Sequence, residues 1–213
     1  VTQVGVLLSG SGTNLQALLD ACQGEFPARI AVVVSNNPDA YGLERARRAG
    51  VPAICVPHRG WGSRAGFERE LTRVLREHGV EWVACAGFMR LLTPVFLDAW
   101  PERVLNIHPA LLPAFPGVDA QGQAHAYGVR IAGATVHFVD AGTDTGPIVA
   151  QAAAPVLPSD TRDDVQARIL SLEHELYPMV LCMAAEGRLR VEGRRVRVEL
   201  AGGERLLLWA STP

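Results

Sequence analysis

Short aliphatic runs, each ended by a polar or glycine-bearing turn and followed by an amphipathic stretch, recur through the first hundred residues. This pattern restricts the fold more than any other feature of the chain. Val4 to Leu8 runs into Ser9-Gly10-Ser11-Gly12-Thr13-Asn14 and then the helical Leu15 to Leu19. Ile30 to Val34 is ended by Ser35-Asn36-Asn37-Pro38. A helix over Tyr41 to Ala49, stopped by Gly50, precedes a third strand over Val51 to Val56. Arg64 to His78 carries Phe67, Leu71, Val74 and Leu75 at helical spacing and closes on Gly79. Trp82 to Ala86 and Val104 to Ile107 read as strands four and five, separated by a helix near Pro94 to Ala99. Strands that are aliphatic throughout and joined by helical crossovers predict a parallel sheet covered on both faces. Ligands bind such sheets beyond the carboxyl ends of the strands, which singles out the loops after Leu8, Val34, Ala86 and Ile107.

The second half changes character. Ile131 to Val139 and Pro147 to Val156 flank the loop Asp140 to Gly146 and read as long paired strands. Asp160 to Gly187 reads as a long helix, with Asp160 or Thr161 as its N-cap and Pro178 as the expected kink. The tail from Arg188 to Trp209 alternates Arg and Val around Gly193 and Gly202-Gly203 and predicts a surface hairpin. The expected fold class is α/β: a mostly parallel twisted sheet of about seven strands with helices on both faces, Rossmann-like in its N-terminal half. We expect one domain over 1–213, with halves at about 1–100 and 101–190 and a tail over 191–213.

Composition sets the boundaries of function. The net charge is −2, and all 20 basic residues are Arg, so no general basic field attracts nucleic acid or anionic lipid. An anionic ligand has to be held locally. Cys22, Cys55, Cys85 and Cys182 form no CxxC pair and no cysteine–histidine cluster, so neither a metal site nor a disulfide framework is expected. No apolar run approaches membrane-spanning length, and the expected location is the cytoplasm.

Three segments carry chemistry. Glycines in Ser9 to Asn14, where a strand gives way to a helix, let the backbone approach a ligand, and free amides at a helix N-terminus bind an anion. The segment is not a dinucleotide fingerprint: Leu15 stands where a third glycine belongs, and Ser35-Asn36-Asn37 replaces the acidic ribose ligand. No Gly-Lys-Ser/Thr makes it a P-loop. It reads equally as a single-phosphate site or as a tight turn with Thr13 as helix cap. Second, Asn106 and His108 lie two apart at the end of strand five, so both point to one side of an extended backbone. An amide beside an imidazole suits an oxyanion developing on a carbonyl. Third, Asp140-Ala141-Gly142-Thr143-Asp144 is a polar loop between apolar strands. It lacks the later Glu of an EF-hand, and a carboxylate near His108 favours the imidazolium.

Taken together these residues resemble the formyltransferases that use 10-formyltetrahydrofolate. Asn106-Ile107-His108-Pro109-Ala110-Leu111-Leu112-Pro113, Ala86-Gly87-Phe88-Met89-Arg90, Gly133 to Val139 and Asp144-Thr145-Gly146-Pro147-Ile148 carry the likeness. Ser9 to Asn14, Ser35-Asn36 and Gly42-Leu43-Glu44-Arg45-Ala46 narrow it to the branch that acts on glycinamide ribonucleotide. The resemblance spans about residues 3 to 190. It implies that the amides of Gly12, Thr13 and Asn14 hold the substrate phosphate, with Glu173 near the ribose or amine end. It implies that Arg64, the run Met89, Arg90, Leu91 and Leu92, and the loop Asp140, Ala141, Gly142, Thr143 and Asp144 surround the folate. Asn106, His108 and Asp144 would be catalytic, with 10-formyltetrahydrofolate as cosubstrate and no metal. The implied partners are small molecules alone, glycinamide ribonucleotide and a reduced folate, bound by a monomer or weak homodimer. The chain departs from the family's usual residues at Ala110, Ala114, Pro116, Gln121 and Leu170. The alternatives are formyl transfer to another amine, or a folate-binding module without turnover. His137 matches the family pattern but sits mid-strand and reads as structural.

Overall fold

The computed structural model describes residues 1–203 and 205–209, and the chain forms two compact units. The first comprises Val1–Asn106 with Val139–Ala141. Its elements are β1 (Thr2–Leu8), α1 (Thr13–Ala21), β2 (Ala28–Ser35), α2 (Tyr41–Arg48), β3 (Ala53–Cys55), α3 (Arg64–Glu77), β4 (Trp82–Cys85) and α4 (Pro94–Leu97), followed by most of β5 (Val104–His108). The strand order is β3-β2-β1-β4-β5, every neighbouring pair parallel. The aliphatic runs therefore become strands buried on both faces, as their lack of alternation requires. Leu7, Val34, Phe67, Leu71, Leu75, Val83 and Phe96 belong to one buried cluster. At about 25 cal/mol per Å² of apolar surface, such burial is the main stabilising contribution. The registers Leu7↔Val34, Leu7↔Cys85 and Cys85↔Asn106 align the carboxyl ends of four strands. The loops after Leu8, Ser35 and Cys85 thus leave from one level of the sheet, the level of Asn106.

Helix boundaries follow their caps. Ser63 accepts from the Gly66 amide to open α3, and Thr93 from the Val95 amide to open α4. The carboxylate of Glu68 on α3, itself buried, accepts from the backbone and hydroxyl of Thr93 and so fixes where α4 begins. The third strand, Ala53–Cys55, is shorter than its sequence run of Val51 to Val56, and at its start Pro52 has no amide to donate to a ladder.

The second unit comprises Ile107–Phe138 and the chain from Gly142 onward. It holds the end of β5, then α5 (Ala120–Tyr127), β6 (Ile131–Phe138), β7 (Ile148–Pro155), α6 (Arg162–Ala185), β8 (Leu189–Glu192), β9 (Arg195–Val198) and β10 (Leu207–Trp209). β6 and β7 form the expected antiparallel pair. Their close approach depends on small residues: a Cβ at Gly133 would lie 1.9 Å from the Ala152 carbonyl oxygen. α6 packs on this pair, and its Ile169, Leu172, Leu176 and Val180 are buried. Thr161 is the N-cap, in a reciprocal capping box with Asp164, and the helix continues through Pro178.

The described residues contain ten strands rather than about seven. The three extra strands come from the tail. β8 and β9 are the expected hairpin around Gly193, and β10 adds parallel to β7. Tail residues 204 and 210–213 lie outside the described residues. α5 has no counterpart in the sequence reading, since its Gly- and Ala-rich sequence carries little apolar periodicity.

Candidate active site

The Gly-rich turn sits in the first unit, where β1 passes into α1. The helix cap is Gly12 rather than Thr13: Gly12 has φ 72°, and no side chain caps the helix. Thr13 is the first helical residue. The turn's carbonyls face the protein. Ser9 O accepts from Asn37 Nδ2 at 3.3 Å, Gly10 O from the Gly42 amide at 3.0 Å and Ser11 O from Arg45 Nε at 2.9 Å. With its acceptors consumed inward, the turn offers the first-turn amides of α1, the arrangement an anion needs. Glycine at position 12 permits this, because a Cβ there would come within 2.6 Å of the Gly42 Cα.

Within the same unit a polar chain ties this turn to the segment after β4. Ser9 Oγ donates to Asn36 Oδ1 at 2.5 Å and accepts from the Met89 amide at 2.8 Å, while Asn36 Nδ2 lies 3.1 Å from His58 Nδ1. Of the residues expected to face a folate, Met89 and Leu91 are exposed, whereas Leu92 belongs to the core cluster. Arg64 opens α3 in an exposed position. Asn106 is carried by β5 with His108 two residues on, and Asp140 and Ala141 follow Val139, whose amide bonds the Val104 carbonyl at 2.9 Å.

The second unit brings His108 and Asp144 together. His108 Nδ1 lies 3.4 Å from Asp144 Oδ2, with both side chains largely buried. Two backbone groups from the segment after Pro113 fix the pair. The Phe115 carbonyl lies 2.8 Å from His108 Nε2, and the Gly117 amide donates to Asp144 Oδ2 at 2.7 Å. A carbonyl only accepts, so that contact places a hydrogen on Nε2 and turns Nδ1 toward the carboxylate. Asp144 itself has φ 53°, a left-handed conformation that Asp tolerates better than most residues.

What holds this segment is the buried hydroxyl of Thr135 in β6. It donates to the Ala110 carbonyl at 2.7 Å and accepts from the Leu112 amide at 3.1 Å. Gln151 Nε2 on β7 reaches both Leu112 O and Thr135 Oγ1 at 3.0 Å. Further along, Arg162 pairs with Asp119 at 2.6 Å and holds its carboxyl below the usual range. Of the expected remainder, Gly142 and Thr143 are exposed loop residues, and Glu173 is buried on α6. Among the departures from the family pattern, Ala110 is buried, while Ala114 and Pro116 are exposed.

Three residues beside the His108–Asp144 pair were not among the expected site residues. Phe115 and Gly117 act through backbone atoms, which no residue type announces. His137, read as structural, stands with Nε2 at 3.7 Å from Asp144 Oδ1. The signal for it was its place two residues after Thr135, inside a segment already singled out.

A largely buried imidazole–carboxylate pair at a strand's carboxyl end is suited to moving protons and to stabilising an oxyanion, as acyl transfer requires. A family model described as formyl transferase matches residues 2–181, and the chain belongs to that family. It is 42% identical over 187 residues to phosphoribosylglycinamide formyltransferase of Escherichia coli (strain K12), covering 87% of this chain and 88% of that one. It is 46% identical over 192 residues to the trifunctional purine biosynthetic protein adenosine-3 of Drosophila pseudoobscura pseudoobscura, covering 88% of this chain but 14% of that protein. The chain thus spans a small fraction of its trifunctional relatives. The crystal structure of glycinamide ribonucleotide transformylase 1 from Symbiobacterium toebii superposes with a TM-score of 0.91 at 56% identity, covering 93% of this chain and 94% of that one. Among the described residues no helix is long and apolar enough to cross a membrane, and no cluster of three or more His, Cys, Asp or Glu is arranged to hold a metal ion.

Proposed function

We propose that this chain transfers the formyl group of 10-formyltetrahydrofolate to the amine of glycinamide ribonucleotide, giving formylglycinamide ribonucleotide and tetrahydrofolate. The observation that carries the proposal is the His108–Asp144 pair at 3.4 Å, fixed by two backbone groups. It belongs to a chain that matches phosphoribosylglycinamide formyltransferases over nearly their whole length.

The neutral amine attacks the formyl carbon, and negative charge gathers on the formyl oxygen. Asn106 and His108 stabilise that oxygen. His108 Nε2–H is directed at the Phe115 carbonyl in the present conformation, so the formyl oxygen takes that N–H only as the segment carrying Phe115 gives way. Asp144 balances the imidazolium and helps move the proton lost by the amine to N10 of the departing folate. No acyl-enzyme forms, so no serine or cysteine acts as nucleophile. The first-turn amides of α1 hold the phosphate, with Glu173 toward the ribose or amine. Arg64, Met89 to Leu92 and the loop from Asp140 to Asp144 receive the folate, Leu92 through its backbone because its side chain lies in the core. The protein works in the cytoplasm.

A steady-state assay with both substrates, following formation of tetrahydrofolate, tests this. Turnover that falls roughly 100- to 1000-fold in His108→Ala is the expected result, as for loss of an oxyanion donor. Normal turnover in that variant overturns the mechanism. Folate binding without any transfer by the natural chain makes it a binding module instead, and transfer only to a different amine reassigns the acceptor.

A further inference from the structure

His137 is buried, contributes no apolar packing advantage over a leucine, and yet faces the carboxylate of Asp144. Its Nδ1 lies 2.8 Å from the Phe138 carbonyl. A carbonyl accepts and never donates, so Nδ1 carries a hydrogen, and Nε2, 3.7 Å from Asp144 Oδ1, faces that carboxylate as a donor only in the imidazolium form of the ring. His108 repeats the arrangement with its nitrogens exchanged: Nε2 is pinned by the Phe115 carbonyl and Nδ1 faces Oδ2. One carboxylate therefore stands between two imidazoles, each fixed on its far side by a backbone carbonyl, and each of its oxygens faces one ring.

A merely structural histidine is satisfied by the Phe138 carbonyl alone and needs nothing at Nε2. Two features show that the second contact is built in. The β6–β7 register shifts between Val136 and His137, and bulges of this kind re-aim the side chains beside them. Asp144 is held in a left-handed backbone conformation that turns its carboxylate back toward both rings and the Gly117 amide.

We infer that His137 is a positioning residue for formyl transfer: its imidazolium, with Nε2 toward Asp144 Oδ1, pairs with that carboxylate, so that Oδ2 stays on His108 Nδ1. Without it Oδ1 loses its facing ring and the Gly117 amide holds the carboxylate at Oδ2 alone. The carboxylate can then pivot about that bond, which leaves the His108 ring, pinned at Nε2 by the Phe115 carbonyl, with a less closely held partner at Nδ1. This role rests on the proposed transfer activity.

Two substitutions separate it from a structural role. The side-chain amide nitrogen of Gln superposes on Nε2 of His, and that of Asn on Nδ1. H137Q therefore keeps a donor toward Asp144, whereas H137N keeps only the bond to Phe138. We expect H137N and H137L to lose kcat by roughly tenfold to a hundredfold, the scale for a misplaced catalytic group, with KM for both substrates unchanged and with H137Q recovering most of the rate. Wild-type kcat in H137N, or equal loss in H137Q and H137L when both melt like the parent, overturns the proposal. A second measurement does not depend on those variants folding or on turnover. The ring ¹⁵N resonances of His137 shift in Asp144→Asn if the two groups are coupled, and unchanged resonances also overturn it. A parent chain that transfers no formyl group defeats the functional reading instead, while the resonance shift still reports on the contact.

Discussion

Replacing Thr135 by Val removes one hydroxyl and keeps the shape and β-branching that suit β6. The hydroxyl is fully buried, accepts from the Leu112 amide and from Gln151 Nε2, and donates to the Ala110 carbonyl. Gln151 retains its bond to the Leu112 carbonyl, so the groups orphaned are the Leu112 amide and the Ala110 carbonyl. A buried polar group left unpaired costs about 1–3 kcal/mol, which puts Thr135→Val at roughly 2–6 kcal/mol. Thr135→Ser keeps the hydroxyl and loses one buried methyl, a cost of about 1 kcal/mol. Urea unfolding of the three proteins measures both differences. The same substitution acts on function, because the segment it anchors carries the Phe115 carbonyl and the Gly117 amide to His108 and Asp144. kcat should therefore fall in the Val variant and hold in the Ser variant under conditions where both remain folded. A Val variant within about 1 kcal/mol of the Ser variant refutes the reasoning, since the hydroxyl would then be worth less than any unpaired buried group.

Gly12→Ala places a Cβ 2.6 Å from the Gly42 backbone at φ 72°, a left-handed conformation that costs an L-residue roughly 1–2 kcal/mol before the clash. KM for glycinamide ribonucleotide should rise with kcat at saturation little changed; an unaltered KM removes the first-turn amides from the phosphate site. Arg168 holds the Asp160 carboxyl down to about 2 from 3.8. A depressed carboxyl contributes stability that is present above its unfolded value and lost as pH falls through its folded one. Parent and Arg168→Ala should therefore differ by a constant amount near neutral pH and converge as pH falls from about 4 to about 2 in acid-unfolding titrations. A difference that persists below that window assigns the effect to packing.

Much of the fold was legible because its signals are local. Uninterrupted aliphatic runs mean strands covered on both faces, and helical spacing ending in glycine marks crossovers, so the first five strands and their order of appearance needed no tertiary information. The tail's third strand was not legible: β10 exists because β7 offers it a parallel edge, a partner set by the rest of the chain. α5 was missed because Ala and Gly fit many conformations equally well.

The site divides in the same way. The sequence by itself singled out the candidate side chains, for Asn106 and His108 follow from a strand's two-residue period, and the motif around Asp144 came with the family resemblance. Only the tertiary structure decided how they are held. It made Gly12 rather than Thr13 the cap, because three inward bonds fix the turn's carbonyls. It supplied the Phe115 carbonyl and the Gly117 amide, backbone groups common to nearly all residue types, which no sequence can flag. It also moved His137 from the strand's interior to the carboxylate, through a shift of register that depends on the neighbouring strand.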